Sequence, residues 1–499
     1  MQLSPLFTDG CVLVRGKDIR LFGQASPGDI ITCDLCIPGK PALHSKTCTN
    51  GQGFFLLHMG PAEAATDCTL HFVCKNEEIT VQDVAIGDVF LAGGQSNMEL
   101  ALRDAQEGMN MVQQVDDPLL RYFHVPRNPL PTPEGQALYQ KTRWTPFLKG
   151  NGADMSAVSC FFALKARSDR QVPIGIIDCW WGGTSISCWM DEATLQETEE
   201  GKRYLDRYTR AAGGKSMETY LAEEKVWESE LDAWNRACDA LRQERPGIAW
   251  QELSEIVGPC PWHPPIGPGS PYRPCGLYEY MVKPLCPVGL SGILFYQGET
   301  DADQTEHYDI LLRSMILLWR RQLMDPTLPF LNVQLPMWMD QGAEHTEHWP
   351  RLRMAQERVF QELRHTGLAV LIDLGEYNQI HPTNKRPVGE RLYEQAKIHV
   401  YHEKGLESPR PVSVMYDGER ITAVLSEPLV PSSAPADLFE VRDQDGTWHP
   451  APCRIEGDRL VVFPPVKPAT GLRYAYIDYA TVHLFSACGL PLAPFETHL

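Results

Sequence analysis

Five short runs that are almost wholly apolar, Val89-Phe90-Leu91-Ala92, 173–177, 292–296, 329–333 and 368–372, each break into a polar or glycine-rich loop, and no other feature restricts the fold as much. Apolar runs without alternation suit strands buried on both faces, and the segments between them carry helical spacing. The expected core is therefore α/β, a parallel sheet covered by helices on both sides. In such sheets ligands bind outside the carboxyl ends of the strands, so chemistry should be sought just after each run.

The flanks read differently. Residues 1–88 are short runs of mixed polarity, such as Cys11-Val12-Leu13-Val14-Arg15, separated by Pro, Gly and Asn, which predicts an all-β unit. After about residue 405, Asp417-Gly418, Asp445-Gly446 and Glu456-Gly457-Asp458 each lie between a pair of β-rich runs, predicting hairpins and a second β unit over 406–499. Between them lies a core of 89–405, interrupted at about 191–276. That insertion opens with a Glu-, Leu- and Lys-rich helical stretch to 250 and ends in a Pro/Gly-dense loop, Pro259 to Gly276. The loop is either a cover over a cleft or a plain connector. A chain of 499 residues exceeds what one hydrophobic core normally supports, which agrees with several units.

Composition excludes some functions. The net charge is -19 and no Lys/Arg cluster is available to neutralise phosphates, which argues against nucleic acid as a partner. No stretch approaches the roughly 18 apolar residues of a membrane span, and the first residues lack the features of a signal peptide, so a soluble, cytoplasmic protein is expected. Fifteen cysteines without regular spacing suit buried thiols in a reducing compartment. Cys33-x-x-Cys36 lies in an alternating run with no second pair at metal-site distance and reads as packing, so no metal or cofactor is expected.

The sharpest local feature is Gly93-Gly94-Gln95-Ser96-Asn97-Met98-Glu99, where a strand meets a turn and then a helix expected from Asn97 to about Ala105. A serine there sits beside free backbone N–H groups that favour an oxyanion, although an isolated Gly-Gly-x-Ser often marks only a helix cap. Trp181-Gly182-Gly183-Thr184 and Tyr296-Gln297-Gly298-Glu299 follow two other strands to the same edge, and a glycine N–H or a glutamine amide is a suitable oxyanion donor. Ile380-His381-Pro382 follows the last strand, with a helix beginning near Asn384, and its imidazole is the candidate base for the serine.

These four blocks, in this order, resemble the sialate O-acetylesterase family of the SGNH hydrolases. The likeness reaches from Leu3-Ser4-Pro5-Leu6-Phe7 to Ala487-Cys488-Gly489. The resemblance implies a flavodoxin-like three-layer α/β/α core with flanking β-sandwich-like units. It also implies Ser96 as nucleophile, His381 as base, and an oxyanion hole of Ser96 N–H, Gly183 N–H and the Gln297 amide. Gln95, Trp181 and Glu299 are the expected substrate contacts. One departure stands out: the family pattern places Asp three residues before the histidine, where this chain has Asn378. A dyad steadied by a backbone carbonyl or Asn378, a substitute acid at Glu376 or Asp373, and a poor catalyst all remain open.

The implied activity is removal of acetyl groups from sugar hydroxyls, on sialic acid or a related sugar. The alternatives are an acetylxylan or acetylmannan esterase, and a catalytically weak glycan-binding protein using Trp180, Trp181 and Trp189 as stacking surfaces. The motifs concern the acetyl group and leave the sugar and the oligomeric state open.

Overall fold

In the computed structural model, residues 1–128, 130, 132–245, 248, 250–262, 264–430 and 436–499 are described. Positions 246, 247, 249 and 263, inside the expected insertion, lie outside the described residues.

The strands of the central sheet are β1 (Glu77–Gly94), β2 (Asp117–His124), β3 (Thr145–Phe147), β4 (Ile174–Trp180), β5 (Gly292–Tyr296), β6 (Phe330–Val333) and β7 (Thr366–Ala369). They lie side by side in the order β3-β2-β4-β1-β5-β6-β7, and every neighbouring pair is parallel except β2 and β3. Counting only β4-β1-β5-β6-β7, the chain order is second, first, third, fourth, fifth. The direction of winding therefore reverses beside β1, and a crevice is expected at its carboxyl end.

Side chains alternate along β1, and its two faces meet different helices. Phe90 stacks edge-on against Phe162 of α2 (Ala157–Arg170), with ring centroids 4.7 Å apart. Gly93, on the other face, lies under Trp319 of α5 (Tyr308–Gln322), whose ring also meets Phe295 and Phe330. Helix α7 (Arg386–His399) packs on α2 so closely that a Cβ at Gly389 would come within 2.6 Å of the Phe162 backbone. Helix α6 (His348–Glu362) packs on α5.

The N-terminal strands and the core are joined without a break. Strand β1 pairs antiparallel with Ala65–Cys74 at its start and parallel with β4 and β5 at its end, so it crosses position 88 as one element. Two four-stranded antiparallel sheets follow residue 410, built on hairpins at the three Gly-containing turns. Their shared core includes Val370 and Ile372 from the segment after β7. The apolar run 368–372 predicts strand throughout, yet β7 ends at Ala369; of the remaining residues Val370 and Ile372 are apolar because they face the C-terminal sheets, and Leu371 because it packs into the main core.

Between β4 and β5 come helices Glu192–Gln196, α3 (Glu199–Ala212), α4 (Met217–Glu244) and Trp250–Val257. The helical expectation for this stretch agrees with these elements. The β2–β3 edge pair, by contrast, has no counterpart among the five expected strands, because Pro118 and the buried Arg121 disguise β2 as polar. Cys33 is buried and Cys36 exposed, on opposite faces of one strand, so the two thiols do not form one site.

Candidate active site

Strand β1 delivers the serine through a backbone only glycine accommodates. At Gly94 φ is +136°, and a Cβ there would lie 2.1 Å from the carbonyl oxygen of Tyr296. The chain then makes a single helical turn, α1 (Ser96–Glu99). The helix expected to continue to Ala105 stops here, because Leu102 N donates to Met155 O and Ala157 N to Leu100 O, which draws the segment onto the start of α2. With one turn of helix, local N–H groups rather than a macrodipole supply the positive potential.

The imidazole of His381 meets this turn. Its Nε2 lies 2.8 Å from Ser96 Oγ, across 285 positions of sequence. Burial, reinforced by the nearby Lys385 cation, lowers the His381 pKa to about 4, so the ring is neutral at neutral pH. Among the described residues no hydrogen bond reaches its Nδ1. Asn378 is not brought to it: Asn378 is left-handed, with φ +57°, and its Oδ1 accepts from Gln341 N at 3.0 Å. Asp373 is held by two hydrogen bonds from Arg391. Glu376 is exposed and makes no ion pair with Lys385 among the described residues, and its backbone is bridged to Gln379, whose side chain accepts from His381 N at 3.2 Å.

The candidate oxyanion donors divide. Gly182 packs against Ser96, its missing Cβ 3.3 Å from Ser96 Cβ, and its N–H donates to Glu99. Gly183, at φ +72°, and Ser96 keep backbone N–H groups with no acceptor among the described residues. Gln297 departs from expectation. Its Nε2 donates to Gln95 Oε1 and Thr184 O at 3.2 Å and to Asp301, while its Oε1 accepts from Tyr308 at 2.6 Å. Both amide protons are thus committed inside a fully buried network, and Gln297 ties three loops together rather than facing the serine.

Gln95 is corrected in the same way. Its buried Oε1 takes hydrogen bonds from Gln297, Gly298 and Thr300, so that oxygen braces the loop after β5. Glu299 is also buried; its Oε1 accepts from Asn97 Nδ2 at 2.6 Å, and burial raises its pKa. Trp181 remains partly exposed, with Arg127 over its ring at 5.7 Å and Arg127 paired to Glu99.

Sequence reasoning missed Trp262. It lies in the Pro/Gly loop, is 49% exposed, and comes within 2.8 Å of the Cβ position of Gly183. Tyr272 stands edge-on to it at 6.3 Å. Helix α4 holds the loop through Trp227 Nε1 to Pro261 O and Trp234 Nε1 to Gly258 O. The loop therefore reaches the site and is more than a connector. Trp180 and Trp189, offered as stacking surfaces, are buried and belong to the core. Only an exposed tryptophan near the serine could have been singled out, and exposure is not visible in sequence.

Among the described residues no cluster of His, Cys, Asp and Glu is arranged to hold a metal, and no helix is long and apolar enough to cross a membrane.

Comparison with known proteins points to an esterase. Residues 272–397 match the family described as carbohydrate esterase, sialic acid-specific acetylesterase. The sialate O-acetylesterase of Mus musculus is 25% identical over 528 aligned positions, spanning 95% of this chain and 90% of that protein. The Homo sapiens sialate O-acetylesterase is 25% identical over 383 positions, spanning 71% of this chain and 61% of its own length. The crystal structure of a carbohydrate acetylesterase from Xanthomonas citri superposes with a TM-score of 0.75 at 28% identity, covering 99% of each chain. The chain is thus similar to sialate O-acetylesterases and to a carbohydrate acetylesterase of known structure over nearly its whole length.

Proposed function

We propose that this protein is a carbohydrate O-acetylesterase working through a Ser96–His381 dyad. The observation that carries the reading is the 2.8 Å contact between His381 Nε2 and Ser96 Oγ beside two unengaged backbone N–H groups. Ser96 Oγ attacks the acetyl carbonyl as its proton passes to His381 Nε2, and the oxyanion takes hydrogen bonds from Ser96 N–H and Gly183 N–H. The bond from the acetyl carbon to the sugar oxygen breaks, and that oxygen leaves with the proton from His381. Water then attacks the acetyl-enzyme, giving its proton to His381; acetate departs and the proton returns to Ser96.

The sheet order and the two helix pairs, α2 with α7 and α5 with α6, support an SGNH-type three-layer core between two β units, at about 1–88 and 406–499. No disulfide joins the fifteen cysteines, which suits a reducing compartment such as the cytoplasm.

O-acetylated sialic acid is the first substrate to test, following the names of the mouse and human relatives. Purified protein should release acetate faster from 9-O-acetyl sialic acid than from acetylated xylo- or manno-oligosaccharides. Ser96→Ala and His381→Ala should each lower turnover by roughly 10³-fold or more while the circular dichroism spectrum stays unchanged. Faster release from the xylo- or manno-oligosaccharides moves the substrate to plant-type polysaccharides; substantial turnover by Ser96→Ala ends the dyad reading.

A further inference from the structure

Lys385 is a cation in an unusual place. It is 1% exposed at the start of α7, its Nζ donates to Asn97 Oδ1, and it lies 5.5 Å from the Tyr296 ring centroid. Asn97 follows the nucleophile, and its Nδ2 donates both to Glu299 Oε1 and, at 2.9 Å, to the carbonyl of Ile380, the residue before the base. One amide thus bridges the serine turn, the loop after β5 and the histidine loop, and the lysine fixes that amide's orientation. Burying an ammonium is costly, so a lysine held here needs a compensating role.

We propose that Lys385 is a positioning residue of the dyad: through Asn97 it holds Ser96 and His381 in register, and it sets a cation beside the imidazole. The proposal rests on the dyad reading. The ionisable groups near enough to act on Lys385 are Glu299, Glu376, His381 and the buried Tyr296; Arg386 turns outward to Glu107. Glu299 compensates weakly, since its Oε2 is buried without a hydrogen bond and its pKa is raised by burial. Burial lowers the Lys385 pKa to about 7, so in the acid range where His381 titrates the lysine is charged.

A positive neighbour makes the imidazole a weaker base and its protonated form a stronger acid. In the first step that cost is shared with the oxyanion hole. In the second it helps, because a sugar alkoxide is a poor leaving group that needs the proton, whereas p-nitrophenolate leaves without one. The lysine therefore favours sugar esters over activated ones.

The test is the pH profile of kcat/KM for wild type, Lys385→Met and Lys385→Arg, on p-nitrophenyl acetate and on an acetylated sugar that wild type cleaves. The wild-type acid limb should lie clearly below the ordinary histidine range of about 6.5. In Lys385→Met it should move up by about one pH unit, and at pH 6, where the wild-type lysine is charged, the loss should be roughly 10-fold greater on the sugar ester than on p-nitrophenyl acetate. Lys385→Arg should keep the low acid limb. A wild-type acid limb near 6.5 overturns the proposal without need of any variant, as do an unmoved limb or equal losses on both substrates in Lys385→Met. A wild type that cleaves neither ester, or a fully active Ser96→Ala, refutes the dyad instead.

Discussion

At the scale of single residues, the motif blocks gave away backbone more readily than side-chain roles. Ser96 and His381 were legible because a strand must deliver each to the same sheet edge, and the structure brings them together. Gln95 and Gln297 were misread because an amide in a loop can face a ligand or a neighbouring loop, and here three loops converge on them from distant positions. Asn378 belongs to the same lesson. Its left-handed backbone and its bond to Gln341 N show a residue chosen for loop shape, since Asn tolerates φ above zero better than most. Asn378→Asp keeps the acceptor oxygen and should leave kcat unchanged. Asn378→Ala should lower kcat about fivefold through strain of about 1 kcal/mol in the loop. A large gain in kcat for Asn378→Asp, as a newly completed triad would give, contradicts this account.

At the scale of elements, all five expected strands have ends within three residues of observed ones, the long N-terminal extension of β1 apart, because apolar runs buried on both faces leave little freedom. The helix after Ser96 failed where tertiary hydrogen bonds to 153–157 won over local propensity. The insertion was legible as helix but not as a support for Trp262, since contact between a loop at 262 and a glycine at 183 has no local signature. Trp262 and Tyr272 form an aromatic wall beside Gly183, a proposed oxyanion donor, and such a wall suits the apolar face of a sugar ring. Trp262→Ala should raise KM for an acetylated sugar about 10-fold, a change worth ~1.4 kcal/mol of binding, and leave kcat/KM for p-nitrophenyl acetate within about twofold. Equal effects on both substrates would place Trp262 in support of the oxyanion loop rather than in sugar binding.

At the scale of the whole molecule, the C-terminal sheets brace the loop that carries His381. Tyr479 packs at a tilt against Tyr377 with ring centroids 5.4 Å apart, Asp478 O accepts from Trp338 N, and Met339 O in turn accepts from Asn378 N. The balance of buried charge sets the pH response. Burial lowers the pKa of His124 and His381 to about 4, so on acidification from 6.5 to 4 the unfolded chain binds more protons and stability falls. Burial raises Asp178 and Asp301 to about 6, so between 6 and 3.8 the folded chain binds more protons and stability rises as pH falls. The two pairs oppose each other between about 4 and 6. Asp178→Asn removes one carboxylate from the balance, and its unfolding free energy from urea titrations should fall more steeply than wild type on acidification through that window. An unchanged slope contradicts the buried-carboxylate account. The central claim, however, is covalent chemistry at one oxygen, and rapid-quench mass spectrometry during turnover of p-nitrophenyl acetate tests it most directly. The account predicts a single acetyl group on the peptide containing Ser96, absent in Ser96→Ala; an acetyl group carried elsewhere, with turnover intact in Ser96→Ala, would contradict it.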